Sequence, residues 1–393
     1  MSLVDWTRVE EAFSSAALEP QHGAYTPKQL QEKEHVFPGA VLLVGRRGKV
    51  LYERAVGCRT ILPEVTPMQV DTVFDVSSLT KVIVTTTLVM QLVDKGQLQI
   101  DQALARIFQT FSTGNKAKMT VRHLLAHTSG YPAYIPFYKK IAELNEGKRS
   151  GIMCTRSAVE YVYNEIFRTN LDSPPGLRVE YSDVGFMLLA FVVETICGGV
   201  ALDKLAQEKI FKRLGMKSTG YIELSKLRSR GLEPVTDMIA ATVNCPWRKR
   251  LICGEVHDEN AWAMGGVAGH AGVFSTARDI HKFSSEMMNC WNGWGSFIKK
   301  ETVRKFWQRD ESVQNSSRAL GWDMPSGEES SAGKYFSREG VGHLGFTGCS
   351  LWMDPKLELD IILLSNRIHP NVDNENIKKF RPFIHDLILE ALH

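Results

Sequence analysis

Residues 73–92 read VFDVSSLTKVIVTTTLVMQL, and the change of character inside this stretch divides the chain. Val73-Phe74-Asp75-Val76 is a short apolar run of β type, Ser77-Ser78 is a helix-start signal, and 82–92 continues as an almost uncharged helix. On the N-terminal side, residues 5–17 carry helical spacing with Trp6, Val9 and Phe13 on one side. A hairpin follows, with strands over 37–44 and 50–56 joined by the turn Arg46-Arg47-Gly48-Lys49. On the C-terminal side, helical patterns run over 78–94, 119–126, 156–164, 183–196 and 201–213. After about Gly265, β-type runs return at 271–275, 340–344, 348–353 and 359–365, the last two separated by Asp354-Pro355, and a final helix spans 374–391. Strands at both ends around a helical middle predict an α/β (α+β) architecture: one antiparallel sheet from residues 1–76 and 265–393, flanked by helices, with a mainly helical domain, 77–264, inserted. The cleft between the two parts is the expected active site. The stretch DMPSGEESSAGK, 323–334, reads as a polar surface loop.

The 393 residues, 44% hydrophobic and 23% charged, have an ordinary globular balance. Forty-seven basic against 44 acidic side chains leave a formal charge of +3, too weak a field to recruit nucleic acid or an anionic membrane. No stretch approaches the roughly 18 apolar residues of a spanning helix. The N-terminus MSLVDWTRVEEAF has no apolar signal core, which predicts a cytoplasmic location, although a removed leader leaves the same picture. Seven scattered cysteines, with no C-x-x-C pair, read as buried small hydrophobes in a reducing compartment.

There is no G-x-S-x-G elbow, no H-E-x-x-H and no Walker A loop. Ser78-Leu79-Thr80-Lys81 is an S-x-x-K, a pattern of which about one or two copies are expected by chance in a chain of this length. Two others occur, at Ser296–Lys299 and Ser331–Lys334. Only the first sits at the start of an apolar helix, where Ser78 and Lys81 project from one face of the first turn. The helix N-terminus and apolar surroundings are expected to push the Lys81 pKa down toward a usable base. A positioned base of that kind contributes about 10²–10⁴ in rate. Downstream, Pro174-Pro175-Gly176 leads into Val179-Glu180-Tyr181-Ser182-Asp183 and a second apolar helix, and Gly342-His343-Leu344-Gly345-Phe346-Thr347-Gly348 precedes a strand.

Taken in order, these positions resemble the S-x-x-K, Y-x-N and K-T-G motifs of the serine β-lactamase and penicillin-binding-protein superfamily, nearest to its class C-like branch, which also holds esterases and peptidases. The matches are Ser78-Leu79-Thr80-Lys81, Tyr181-Ser182-Asp183 and His343-Leu344-Gly345, and the similarity runs from about residue 35 to 390. Leu124-Leu125-Ala126-His127-Thr128-Ser129-Gly130, Pro175-Gly176, Leu214-Gly215-Met216 and Leu364-Ser365-Asn366-Arg367 also look like the family. The resemblance implies a metal-free, cofactor-free serine hydrolase acting on a small-molecule or peptide ester or amide. Ser78 would attack the acyl carbonyl, Lys81 and Tyr181 would handle protons, and the main-chain N–H groups of Ser78 and Phe346, the residue after Gly345, would hold the oxyanion.

Two departures narrow the substrate. His343-Leu344 replaces the Lys-Thr pair that binds a substrate carboxylate, so a permanent charge becomes one expected to titrate near neutrality, and strong β-lactamase activity is disfavoured. Asp183 replaces an amide; a carboxylate close to Lys81 would keep that lysine charged and shift the base role to Tyr181. A carboxylesterase, or a peptidase or amidase on cell-wall-derived peptides, therefore ranks above a weak β-lactamase or a binding protein that has lost turnover. Among weaker constellations, His257 and His270 stand in polar or glycine-rich segments that could line the cleft, hold a metal with a carboxylate, or support turns. His123 and His127 fall four apart on a predicted helix, where packing is favoured over chelation. Arg367 and His369 end a predicted strand, where either a substrate carboxylate or a surface ion pair could be met.

Overall fold

The computed structural model describes residues 4–32, 34–147, 151–314, 316–327 and 330–393. Its strands, in chain order, are β1 (Gly39–Arg46), β2 (Lys49–Thr60), β3 (Thr66–Pro67), β4 (Phe74–Asp75), β5 (Gly220–Tyr221), β6 (Asn244–Cys245), β7 (Arg250–Leu251), β8 (Val273–Ser275), β9 (Val341–Leu344), β10 (Ser350–Asp354) and β11 (Leu359–Ser365). The principal sheet has the order β3-β2-β1-β11-β10-β9, so segments from the two ends of the chain meet where β1 pairs antiparallel with β11, Leu42 opposite Leu363. Arg47 and Gly48, at φ 53° and 71°, close the β1–β2 hairpin, since two successive positive φ values match the twist of the flanking strands.

Alternation along β1 sorts side chains between two cores. Ala40, Leu42 and Val44 join Ile361, Leu363 and Trp352 against the helices Thr7–Ser15 and Ile377–Leu392, which contribute Val9, Phe13, Ile384 and Ile388. Val41 and Leu43 face the other way, toward a larger core that includes the helix Ala277–Asn292 and the helices of the middle of the chain. Each such side chain, fully buried, stabilises the fold by about 1.5–3 kcal/mol. Both faces of β1 are covered, so it reads as a continuous apolar run.

The run expected at 271–275 does not join the principal sheet: β8 pairs with β4 and β5 in a separate three-stranded sheet, because Val273–Ser275 packs beside Phe74–Asp75 and Gly220–Tyr221, and β6 pairs with β7. The helix Ala277–Asn292 is absent from the sequence expectation. It is capped by Thr276, whose side chain accepts the Asp279 N–H, and ends at Gly293 with φ 86°. Of the predicted surface loop 323–334, residues 328 and 329 lie outside the described residues, and the rest is only partly exposed: Asp323 bridges to Gly342 at the sheet edge, and Met324, Ser330 and Ala332 are buried. Gly340-Val341-Gly342-His343-Leu344-Gly345 has the spacing of a dinucleotide-binding loop but forms edge strand β9 and its exit. No helix N-terminus follows to receive a phosphate, and Gly342 is glycine because a Cβ there would lie 2.3 Å from a Trp352 ring atom. Among the described residues, no helix is long and apolar enough to cross a membrane.

Candidate active site

Strand β4 delivers the chain into a tight turn at Ser77, whose φ of 49° lies in the left-handed region that non-glycine residues rarely adopt. Ser78 follows, half-buried, one residue before the helical turns that carry Lys81 inward. Residues Lys81–Thr86 form a π-helical segment against the glycine-rich loop 265–272. That loop can approach because Gly269 has no Cβ: one there would stand 2.3 Å from the Phe186 carbonyl oxygen. The approach places the His270 carbonyl beside Lys81 and lets Thr85 Oγ1 donate to the Gly269 carbonyl at 2.6 Å.

Lys81 is fully buried. Its Nζ donates to Ser78 Oγ at 2.8 Å and to the His270 carbonyl at 3.2 Å, and lies 2.7 Å from Asp183 Oδ1. Two of its N–H groups are thus hydrogen-bonded, and the contact with Asp183 is an ion pair, without hydrogen-bond geometry at Oδ1. Burial alone would lower its pKa, as the sequence suggested, but the Asp183 carboxylate and Tyr181 outweigh burial and hold it above the ordinary lysine value. Lys81 is a charged ammonium, and the expectation of a depressed lysine base is overturned.

Asp183 opens the helix Asp183–Ile196, where a carboxylate is favoured by the helix dipole. Ser182 caps the same helix by accepting the Gly185 N–H, donates to the Pro132 carbonyl at 2.7 Å, and gives its own N–H to His127 Nδ1 at 3.0 Å. These bonds fix Tyr181, the preceding residue. The His127 ring lies 4.5 Å from the Tyr181 ring, and Lys81 Nζ is 4.8 Å from the Tyr181 ring centre. His127 therefore belongs to the site. It does not chelate with His123, which bends back to the Thr120 N–H in a capping box. Burial, with the nearby charges of Arg318 and Lys81 and with His343, holds His127 neutral, well below the usual histidine range.

His343 also comes near Tyr181, ring centres 5.9 Å apart, but it supplies no titrating charge near neutrality. It is buried, its Nδ1 bonds to the Leu344 carbonyl at 2.9 Å, and burial together with Lys81 and Arg318 pushes its pKa far down. The cation on this side is Arg318, which the sequence reading missed. Its guanidinium carbon stands 5.4 Å from the Tyr181 ring centre, and its nearest carboxylate, Asp323, is 3.8 Å away, beyond hydrogen-bond reach. Arg318 arrives there because 318–323 forms a small antiparallel bridge that is itself bridged to Gly342 on β9.

The other candidates divide. A Cβ added to Gly345, at the end of β9, would stand 2.7 Å from the Val76 carbonyl oxygen, so this turn packs directly on the turn at Ser77. The Phe346 N–H donates to Ser77 Oγ at 3.2 Å, and the exposed Phe346 ring stacks on His257 at 5.4 Å. His257 is held neutral, pushed down to about 4 by burial. Arg367 lies over the Phe346 ring, spends its Nε and Nη1 N–H groups on the Phe346, Val372 and Asn374 carbonyls, and makes no ion pair among the described residues. His369 is buried between the Ile61 N–H and the Thr242 carbonyl, a structural role. Asp183, Asp258 and His270 bring possible ligand atoms within 4.8 Å of one another, while His257 is not among them. The positive charge at that cluster is already supplied by Lys81, and His270 Nε2 bonds to Asp258 Oδ1 at 2.9 Å. All seven cysteines are free thiols.

A buried ammonium 2.8 Å from a half-exposed serine hydroxyl, with a phenol ring beside it on an α/β frame, has the chemistry that an activated serine nucleophile needs. The sequence matches the beta-lactamase family over residues 16–382, and the chain belongs to that family, with the fold of its serine hydrolases. It is 30% identical over 370 residues to a putative D-alanyl-D-alanine carboxypeptidase of Escherichia coli O157:H7, covering 87% of this chain and 81% of that protein. Among solved structures it superposes on EstCE1, a hydrolase with promiscuous acyltransferase activity, with a TM-score of 0.68, 19% identity and 97% of each chain covered. The octameric penicillin-binding protein homologue from Pyrococcus abyssi gives a TM-score of 0.67 at 19% identity, covering 90% of this chain and 74% of that one.

Proposed function

We propose that this chain is an S-x-x-K serine hydrolase of the class C-like branch, with Ser78 as nucleophile and Tyr181 as the group that receives its proton. The observation that carries this reading is the commitment of Lys81. Its Nζ donates to Ser78 Oγ, so the Ser78 proton must leave in another direction, and an ammonium paired with Asp183 has no lone pair to take it. Ser78 Oγ bonds to the acyl carbon as its proton passes to the Tyr181 phenol oxygen, which gives its own proton to the departing alcohol or amine, and water then cleaves the acyl-serine through the same relay run in reverse. Lys81 stays protonated throughout and stabilises the negative charge that develops between Oγ and the phenol.

Arg318 supports a substrate with a carboxylate on its leaving-group side, because this guanidinium has unmet donors beside Tyr181 while His343 is neutral and Arg367 is occupied. Peptide-like amides or esters ending in a carboxylate fit that cation better than neutral esters do, in keeping with the carboxypeptidase name of the Escherichia coli relative. Intact-mass measurement after incubation with a panel of esters, β-lactams and muropeptides, comparing wild type with Ser78→Ala, tests the assignment. An acyl adduct on wild type and none on the variant is expected. An adduct that persists in Ser78→Ala, or full turnover by that variant, overturns it.

A further inference from the structure

The groups that would surround a developing oxyanion are tied together by one buried side chain that the reaction scheme above does not use. Asp75, 2% exposed, ends β4. Its Oδ1 accepts the Ser77 N–H at 2.9 Å, its Oδ2 accepts the His257 N–H at 2.7 Å, and its main-chain oxygen accepts from Thr347 Oγ1 at 2.8 Å. One residue thus pins three separate segments: the nucleophile turn, the loop whose His257 ring stacks on Phe346, and the turn that carries the Phe346 N–H. Ser77, held by the first of these bonds, is the residue with φ 49°, and its Oγ accepts the Phe346 N–H. A hydroxyl oxygen therefore stands on one of the expected oxyanion donors, attached to a turn whose strained backbone is secured by a carboxylate.

We propose that Asp75 is a positioning residue for the oxyanion pocket: its ionised carboxylate holds Ser77 in the left-handed conformation that makes the nucleophile turn and the Phe346 N–H converge, and protonation of that carboxylate slackens the pocket. The inference rests on Ser78 being the nucleophile. A neutral carboxyl accepts poorly through its hydroxyl oxygen, so one of the two N–H bonds, to Ser77 or to His257, weakens on protonation. The neighbours set the pH at which this happens. Burial pushes Asp75 up to about 6 against its two backbone donors, the Asp258 carboxylate adds to the rise, and the Arg248 guanidinium opposes it. The remaining groups facing it are neutral: His257 is held near 4, and the Cys349 thiol is pushed up to about 11. A carboxyl raised by burial makes the fold less stable as pH climbs through about 6, since the folded state gives up a proton reluctantly there. Retaining an ionised group under those terms is characteristic of functional positions.

The test is the pH dependence of kcat/KM for nitrophenyl acetate hydrolysis in wild type, Asp75→Asn and the double variant Asp75→Asn with Ser77→Gly. Wild type should lose activity about tenfold per pH unit below about 6. Asp75→Asn should lack that limb and fall at pH 8 toward the about 10²–10³-fold deficit that loss of one oxyanion donor causes, with affinity for a boronic acid transition-state mimic reduced by a similar factor. Adding Ser77→Gly should restore part of the activity, because glycine adopts positive φ without the carboxylate's help. A purely structural Asp75 would give neither the shifted pH limb nor rescue by glycine, so an unchanged limb in Asp75→Asn, or no rescue, overturns the inference. Should Asp75→Asn not fold, the wild-type profile decides alone, and the absence of a limb near pH 6 refutes the proposal. Wild type that hydrolyses no ester and takes no label at Ser78 refutes the nucleophile assignment, and this inference with it. Turnover indifferent to Asp75 refutes this inference alone.

Discussion

Replacing Asp183 by Asn removes one charge from the Lys81 environment and almost no volume. Lys81 is fully buried and Asp183 is 21% exposed, with 2.7 Å between Nζ and Oδ1. Breaking a buried ion pair by removing a partner costs about 3–5 kcal/mol. The asparagine oxygen can still accept from Nζ, and Asp183 retains some hydration, so the expected loss at pH 7 is nearer about 2 kcal/mol. The pH dependence is more diagnostic than the magnitude. In wild type the lysine is held above its ordinary value of 10.5, so its contribution is intact below the unfolded value and is lost only as pH rises through the still higher folded value. In Asp183→Asn, burial dominates and the folded pKa falls below the unfolded one; the unfolded chain then binds more protons, and stability rises with pH. Between pH 8 and 10 the variant should regain up to about 1.4 kcal/mol per pH unit relative to wild type. Urea denaturation followed by tryptophan fluorescence at four pH values across this window measures both curves. Parallel curves would show that Asp183 does not control the charge on Lys81, and the assignment of the proton-acceptor role to Tyr181 would lose its basis.

His281 is bonded through Nδ1 to the fully buried Asp360 at 2.8 Å, and this pair raises the imidazole above its usual value against the effect of burial. Its contribution is present below the ordinary histidine pKa and is lost as pH rises through the folded value, so a urea midpoint that falls from pH 6.5 upward in wild type should be flatter in Asp360→Asn. Gly342→Ala should destabilise by about 1–3 kcal/mol, because the added Cβ stands 2.3 Å from a Trp352 ring atom and 2.7 Å from the Leu351 carbonyl oxygen; thermal melting measures this. Arg318→Gln should collapse the preference for acetyl esters of 3-hydroxybenzoate over those of 3-hydroxybenzamide toward unity. An equal kcat/KM ratio for the two esters in wild type and variant would remove Arg318 from substrate recognition.

The sheet was legible because its strands carry their own periodicity: β11 falls at 359–365 as the apolar run predicts, and β1 and β2 flank a turn of suitable chemistry. The helix Ala277–Asn292 was not, although Thr276 and Gly293 mark its ends. Its buried stripe of Ile280, Phe283 and Met287 is interrupted by His281 and Ser284, polar residues buried there because both reach Asp360 on the sheet. A polar group satisfied across a tertiary contact breaks the hydrophobic pattern without breaking the helix. Short helices such as Phe137–Glu146 and Lys300–Phe306 went unread for a related reason, each burying only two side chains.

The same limit governs the site. Ser78, Lys81 and Tyr181 can be picked from the chain because their spacing and order carry information, but their charge states depend on which neighbours outweigh burial, and sequence order names only some of these, Asp183 among them. Lys81 illustrates the competition: helix-start context argues for a depressed pKa, the motif position of Asp183 argues for a charged lysine, and the carboxylate at 2.7 Å decides for the second. For a cation to meet a substrate carboxylate, the sequence offered His343 and Arg367, and the structure adds Arg318 beside Tyr181. Burial neutralises the first, three main-chain carbonyls occupy the second, and the third is brought in by a two-residue bridge at a sheet edge. What decides among them is which donors remain unmet once the fold has closed, and that quantity exists only after every backbone carbonyl has found its partner.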